Sequence, residues 1–148
     1  MAAVMIALST FRHSKKAVDL AIERARHGGQ LIIVYIVDIN LARYFIGSDV
    51  GLYENLKSKC EQEILEDHRR IARSRVSAIV HQAEEQSIAV KNHVQTGRFA
   101  LKTLALAETY QPEVIITTRS NRPKWVKRFF GSPVDTLIAC ASCPVVEA

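Results

Sequence analysis

The chain has 148 residues, 48% hydrophobic and 24% charged, a composition that fits one globular domain able to bury about 70% of the surface its unfolded form exposes. Its uninterrupted apolar runs, such as Leu31–Val37, fall well short of the ~20 residues that span a membrane, and three cysteines do not make a disulfide scaffold. The net charge of +5 is local: Arg119, Arg122, Lys124, Lys127 and Arg128 fall in one stretch, and without these five the other 15 basic residues balance the 15 acidic ones, which points to an anion beside that stretch and disfavours general nucleic-acid binding.

Met1-Ala-Ala-Val has no basic start and leads straight into an apolar run, so no secretory signal is expected and the chain reads as a soluble cytoplasmic protein. Ala3–Leu8 is a short continuous apolar run, the pattern of a strand buried on both faces of a parallel sheet. A helix is expected from about Ser14 to Arg26, with Ala17, Val18, Ala21, Ile22 and Ala25 at helical spacing and Gly28-Gly29 as the stop. Gln30–Val37, rich in β-branched residues, is the second strand, and the irregular segment 38–51 crosses the top of the sheet.

From Leu52 to Gln86 the pattern is helical, with Leu56, Cys60, Ile64, Ile71, Val76, Ile79 and Ala83 as an inward stripe, and the length leaves room for a bend or break. Ser87–Val94 alternates apolar with polar residues, which predicts an edge strand. Gly97 opens a helix through about Thr109 with Phe99, Leu101, Leu104 and Ala105 inward, closed by Gln111-Pro112. Val114–Thr118 is the fourth strand. After the basic stretch, Ser132 is a good N-cap, Pro133 suits the first helical position, and Asp135 completes a capping box. Cys143–Val146 reads as the last strand.

The order β-α-β-α-β-α-β-α-β places the chain among α/β proteins with a parallel, doubly wound sheet and helices on both faces, in one domain. Such sheets bind ligands at the carboxyl ends of strands where the winding reverses. The segment between Thr118 and Ser132 has that position: strand, basic loop, helix N-terminus, with backbone N–H groups and the positive dipole end available to phosphate.

Other features read more plainly. Trp125, Phe129 and Phe130 interleave with the charges, an arrangement open both to base stacking and to packing of the loop or of a dimer. Cys140 and Cys143 have redox-motif spacing without a helix N-terminus to lower a thiol pKa, so they read as buried cysteines. His13, His27, His68, His81 and His93 show no metal-ligand spacing. No nucleophile–base–acid set stands out, and nothing argues for an enzyme.

Glu113-Val-Ile-Ile, Gly131-Ser132, Cys143-Pro-Val-Val and Gly97, in these positions, resemble the universal stress protein family, and the resemblance covers essentially the whole chain. It implies a five-stranded sheet in the order 3-2-1-4-5, a homodimer through the last strand (Val145, Val146) and a cytoplasmic, stress-related role. Many members bind ATP through Gly, two residues, Gly, nine residues, then Gly-Ser or Gly-Thr. Here the first two glycine positions fall on Thr118 and Asn121, and only Gly131 and Ser132 match. The family's acidic residue facing adenine falls on Ser9, and its contact after the second strand on Val37.

These departures have physical content. Glycine permits positive φ and close approach of a ligand, which threonine at Thr118 resists and asparagine at Asn121 partly tolerates. Pro133 removes one N–H donor from the helix start. Arg119, Arg122 and Lys124 add positive charge in return. Three readings follow: a regulatory protein with a residual site for ATP, another nucleotide or an anion, in which Ser132 holds phosphate, Arg119 and Arg122 neutralise it, and Val37 with Ser9 bounds the base; a dimeric protein-interaction module with an unknown protein partner and no ligand; and a slow ATP hydrolase.

Overall fold

A computed structural model describes residues 2–27, 29–38, 54–118 and 133–148. Five strands, β1 (Ala3–Ser9), β2 (Gln30–Asp38), β3 (Ala89–Gly97), β4 (Val114–Thr117) and β5 (Val145–Glu147), form one parallel sheet in the order β3-β2-β1-β4-β5. The helices are α1 (Lys15–Ala25), α2 (Glu54–Glu85), α3 (Phe99–Tyr110) and α4 (Pro133–Cys140). The winding reverses between β1 and β4, so the predicted doubly wound topology and strand order are those observed.

Continuous apolar strands divide their side chains between two cores because successive residues point to opposite faces. Val4, Ile6 and Leu8 of β1, with Leu31, Ile33, Tyr35 and Val37 of β2, pack under Ala17, Val18, Ala21 and Ile22 of α1 and Val76, Ile79 and Ala83 of α2. Met5, Ala7, Ile32, Val34 and Ile36 face the other way, under Phe99 of α3 and Leu137 of α4. Each large aliphatic side chain fully removed from water stabilises the fold by about 1.5–3 kcal/mol.

Ser14 caps α1, its hydroxyl accepting from the Ala17 N–H at 3.3 Å. Gly29 is needed as glycine for space, since a Cβ there would lie 2.8 Å from the Ala2 carbonyl oxygen. The other stop signals are not glycines: Ser87 after α2 and Gln111 after α3 take the left-handed conformation, at φ 59° and 49°. Gly97 ends β3, and α3 begins two residues later at Phe99.

The two long helices differ from expectation in phase. α2 runs unbroken for 32 residues. Its buried face is set by Ala72, Val76, Ile79 and Ala83, and Ile71, one position out of phase with Ala72, is 43% exposed. In α3 the inward residues are Phe99, Ala100 and Thr103, while Leu101 is 60% exposed and Ala105 is exposed too. Apolar residues nearly encircle α3, so spacing alone does not choose a face. Contacts at its ends do: Phe99 enters the core, and the Tyr110 hydroxyl lies 2.6 Å from His93 Nε2 with Lys91 over its ring at 5.6 Å.

Candidate functional site at the strand reversal

The carboxyl ends of β1 and β4 stand side by side where the order reverses, and Ser9 and Thr118 mark them. Both are buried. Ser9 closes a tight turn, exchanging backbone hydrogen bonds with Arg12 in both directions at 3.0 Å. That turn aims Arg12 inward. Its side chain is 4% exposed, its Nη1 donates to the Thr118 carbonyl oxygen at 3.0 Å, and its guanidinium carbon lies 5.2 Å from the centre of the Phe99 ring.

Thr117 and Thr118 extend the connection across the sheet. Thr117 Oγ1 donates to the Ala7 carbonyl at 2.9 Å and Thr118 Oγ1 to the Ala148 oxygen at 2.8 Å, so hydroxyl bonds join β1, β4 and the residue after β5. Val37 is one strand away, fully buried within β2 and paired in register with Thr96 of β3. Of the residues singled out from sequence, the structure therefore gathers Ser9 and Thr118 around Arg12 and places Val37 on the neighbouring strand. Arg119, Asn121, Arg122, Gly131 and Ser132 lie outside the described residues, as do Trp125, Phe129, Phe130 and the segment 39–51.

Arg12 is the residue that sequence reasoning missed. It sits between a strand and an N-cap, where a charged side chain ordinarily points to water. Its one signal is the reversal itself, which puts the β1–α1 turn against the end of β4. The Arg12 guanidinium is thus buried at the strand reversal, against the Thr118 carbonyl and the Phe99 face.

Two other expectations resolve on the described residues. Cys140, expected to be buried, is exposed at the end of α4, where Leu137 is the one buried side chain among those described on that helix. Cys143 is partly buried, which pushes its thiol pKa up. No group of three or more His, Cys, Asp or Glu side chains suited to a metal ion occurs among the described residues, and none of the described helices is long and apolar enough to cross a membrane.

Comparison with known proteins follows the fold. The model of the Universal stress protein family matches residues 1–146. No curated protein matches the chain in sequence. Among solved structures, the universal stress protein UspA from Lactobacillus plantarum is 16% identical with a TM-score of 0.70, covering 98% of this chain and 96% of that one. A universal stress protein in complex with cAMP is 15% identical with a TM-score of 0.53, covering 99% and 95%. An Arabidopsis thaliana family member with AMP bound is 13% identical with a TM-score of 0.56, covering 99% and 90%. At such identities the likeness is one of fold.

Proposed function

Because the chain belongs to the universal stress protein family, we propose that it is a regulatory protein that takes an adenine nucleotide, or a simpler anion, at the reversal between β1 and β4. The observation that carries this reading is a buried arginine at the strand reversal: Arg12 lies between Ser9, Thr118 and Phe99 at the carboxyl ends of two adjacent strands. Relatives of the same fold with AMP or cAMP bound support it. In this reading Ser132 and the start of α4 hold phosphate, Arg119 and Arg122 neutralise its charge, Thr118, Asn121 and Gly131 shape the loop, and Ser9 with Val37 bounds the base. The protein binds; it does not need to turn over its ligand.

Calorimetric titration with ATP, ADP, AMP and cAMP, with Mg²⁺ present, tests this. Saturable heat is expected, weakened in Ser132→Ala combined with Arg122→Ala. Absence of heat with all four at millimolar concentration would overturn the nucleotide form. Phosphate release by the wild type and not by the double variant would revive the hydrolase reading.

A second reading, a dimeric interaction module of the cytoplasm with a protein partner, draws on the sheet edge. β5 is three residues long and terminal in the strand order, with Val145 and Val146 only half-buried. As an edge strand, β5 leaves backbone N–H and C=O groups on its outer side with which a second copy could pair.

A further inference from the structure

Between α1 and α2, on the side of the sheet opposite Phe99, a group of polar side chains gathers over the carboxyl half of β2. Tyr35 is 1% exposed, and its phenol oxygen accepts a 2.7 Å hydrogen bond from Arg75 Nη1. His13, the residue before the α1 N-cap, and His68, seven positions before Arg75 on the same helix, both feel the Arg75 charge. His13, His68 and Arg75 are half-buried, so the group reaches solvent. Two buried polar atoms of the adjoining turn, His13 Nδ1 and Thr10 Oγ1, have no hydrogen-bond partner. Buried polar atoms in folded proteins are nearly all paired, so these two leave donors and acceptors for a water, an ion or a ligand to complete.

Arg75 is also the exception on its helix. Arg69 and Arg73 contact Glu66, and Arg70 contacts Asp67. Among the described residues no carboxylate lies within ion-pair distance of Arg75. Its bond goes instead to a phenol that burial keeps neutral. A neutral phenol that accepts from a guanidinium still has its own O–H to donate.

We propose that Arg75, His13 and Tyr35, with Thr10 and His68 beside them, form a binding site for a phosphate-type oxyanion, separate from the strand reversal. Arg75, His13, Tyr35 and Thr10 offer a planar guanidinium, an imidazole N–H, a phenol O–H and a hydroxyl, donors that a dianionic oxygen group can satisfy together. The charges acting on the imidazoles are Arg75 on both and Asp67 on His68, while the nearby Asp19 of α1 is engaged by Gln82. Burial and Arg75 lower both histidine pKa values, so a bound dianion would raise them and binding would take up protons. The proposal stands apart from the nucleotide reading.

The test is imidazole NMR on the whole protein at about pH 6, titrated with inorganic phosphate, with a simple phosphate monoester such as phenyl phosphate, and with chloride as control. Saturable movement of the His13 and His68 ring signals is expected with phosphate, and loss of the Arg75 guanidinium in Arg75→Gln should weaken binding by about tenfold or more. Tighter binding of phenyl phosphate than of phosphate identifies an ester group as the ligand, and the reverse identifies the free ion. Tyr35→Phe gives a second, milder variant if Arg75→Gln does not fold, with a several-fold loss expected. Signals that fail to move, that move equally with chloride, or that respond unchanged in the folded variant overturn the site. His13 follows Arg12 and senses phosphate at the strand reversal too, so the loss of response in Arg75→Gln or Tyr35→Phe is what assigns the binding to this site.

Discussion

Arg12 donates from Nη1 to the carbonyl oxygen of Thr118 at 3.0 Å, a bond that joins the β1–α1 turn to the end of β4 across 106 positions of sequence. Both groups are buried, so neither can exchange its partner for water without opening the reversal. Arg12→Met keeps an apolar side chain against Phe99 and removes the donor. Stability should fall by about 1–3 kcal/mol, the cost of a buried carbonyl left without its charged partner. Urea denaturation measures it, and a loss below about 0.5 kcal/mol would mean that the Thr118 carbonyl does not need Arg12.

The phase of α3 makes a contrasting pair. Leu101 is 60% exposed and Leu137 of α4 fully buried. Leu101→Lys should change stability by less than about 0.5 kcal/mol, whereas Leu137→Ala should cost about 2–5 kcal/mol. Thermal melts of the two variants decide it. Equal losses would restore Leu101 to the core.

Acid should destabilise the protein through His13 and His68. Burial first, and Arg75 second, lowers both imidazole pKa values from the ordinary 6.5, so the unfolded chain binds more protons than the folded one as the pH falls through that value. Stability therefore declines as pH drops below about 6.5 and levels off once the pH passes the folded-state values. In His13→Gln the decline should be shallower. A flat profile between about pH 7 and 5, in phosphate-free buffer, would remove the effect.

If two copies pair through β5, a charge on that strand should separate them. Val145→Lys places an ammonium in the half-covered edge, and light scattering should report the monomer mass where the wild type gives twice that value. Circular dichroism confirms that the variant is folded. An unchanged mass moves the interface elsewhere.

The sheet was legible because its strands are buried on both faces: Ala3–Leu8 and Leu31–Val37 have no other reading than central parallel strands. The edge strand announced itself through alternation at Lys91 and His93, and the observed contacts of both with Tyr110 explain those polar residues. Helix phase was harder. In α3 an apolar residue stands at almost every position, so the inward face depends on end contacts that spacing does not contain. At the candidate site, Ser9 and Thr118 could be placed from strand ends alone, since strand order brings strand ends together. Arg12 could not, because its burial results from a backbone turn with Ser9 and a partner 106 positions away. Arg75 was hidden in the same way, its phenol partner lying 40 positions back in β2.

The 32 residues of α2 would extend about 48 Å, while the nine residues of β3 extend about 30 Å. The chain leaves α2 for the start of β3, so the surplus of about 18 Å rises beyond the carboxyl rim of the sheet. Among the described residues, α2 therefore stands above that rim as a tall rampart on its side of the sheet. The rampart carries the Glu66–Arg69–Arg73 and Asp67–Arg70 groups near its foot, three arginines against two carboxylates on a largely water-facing surface.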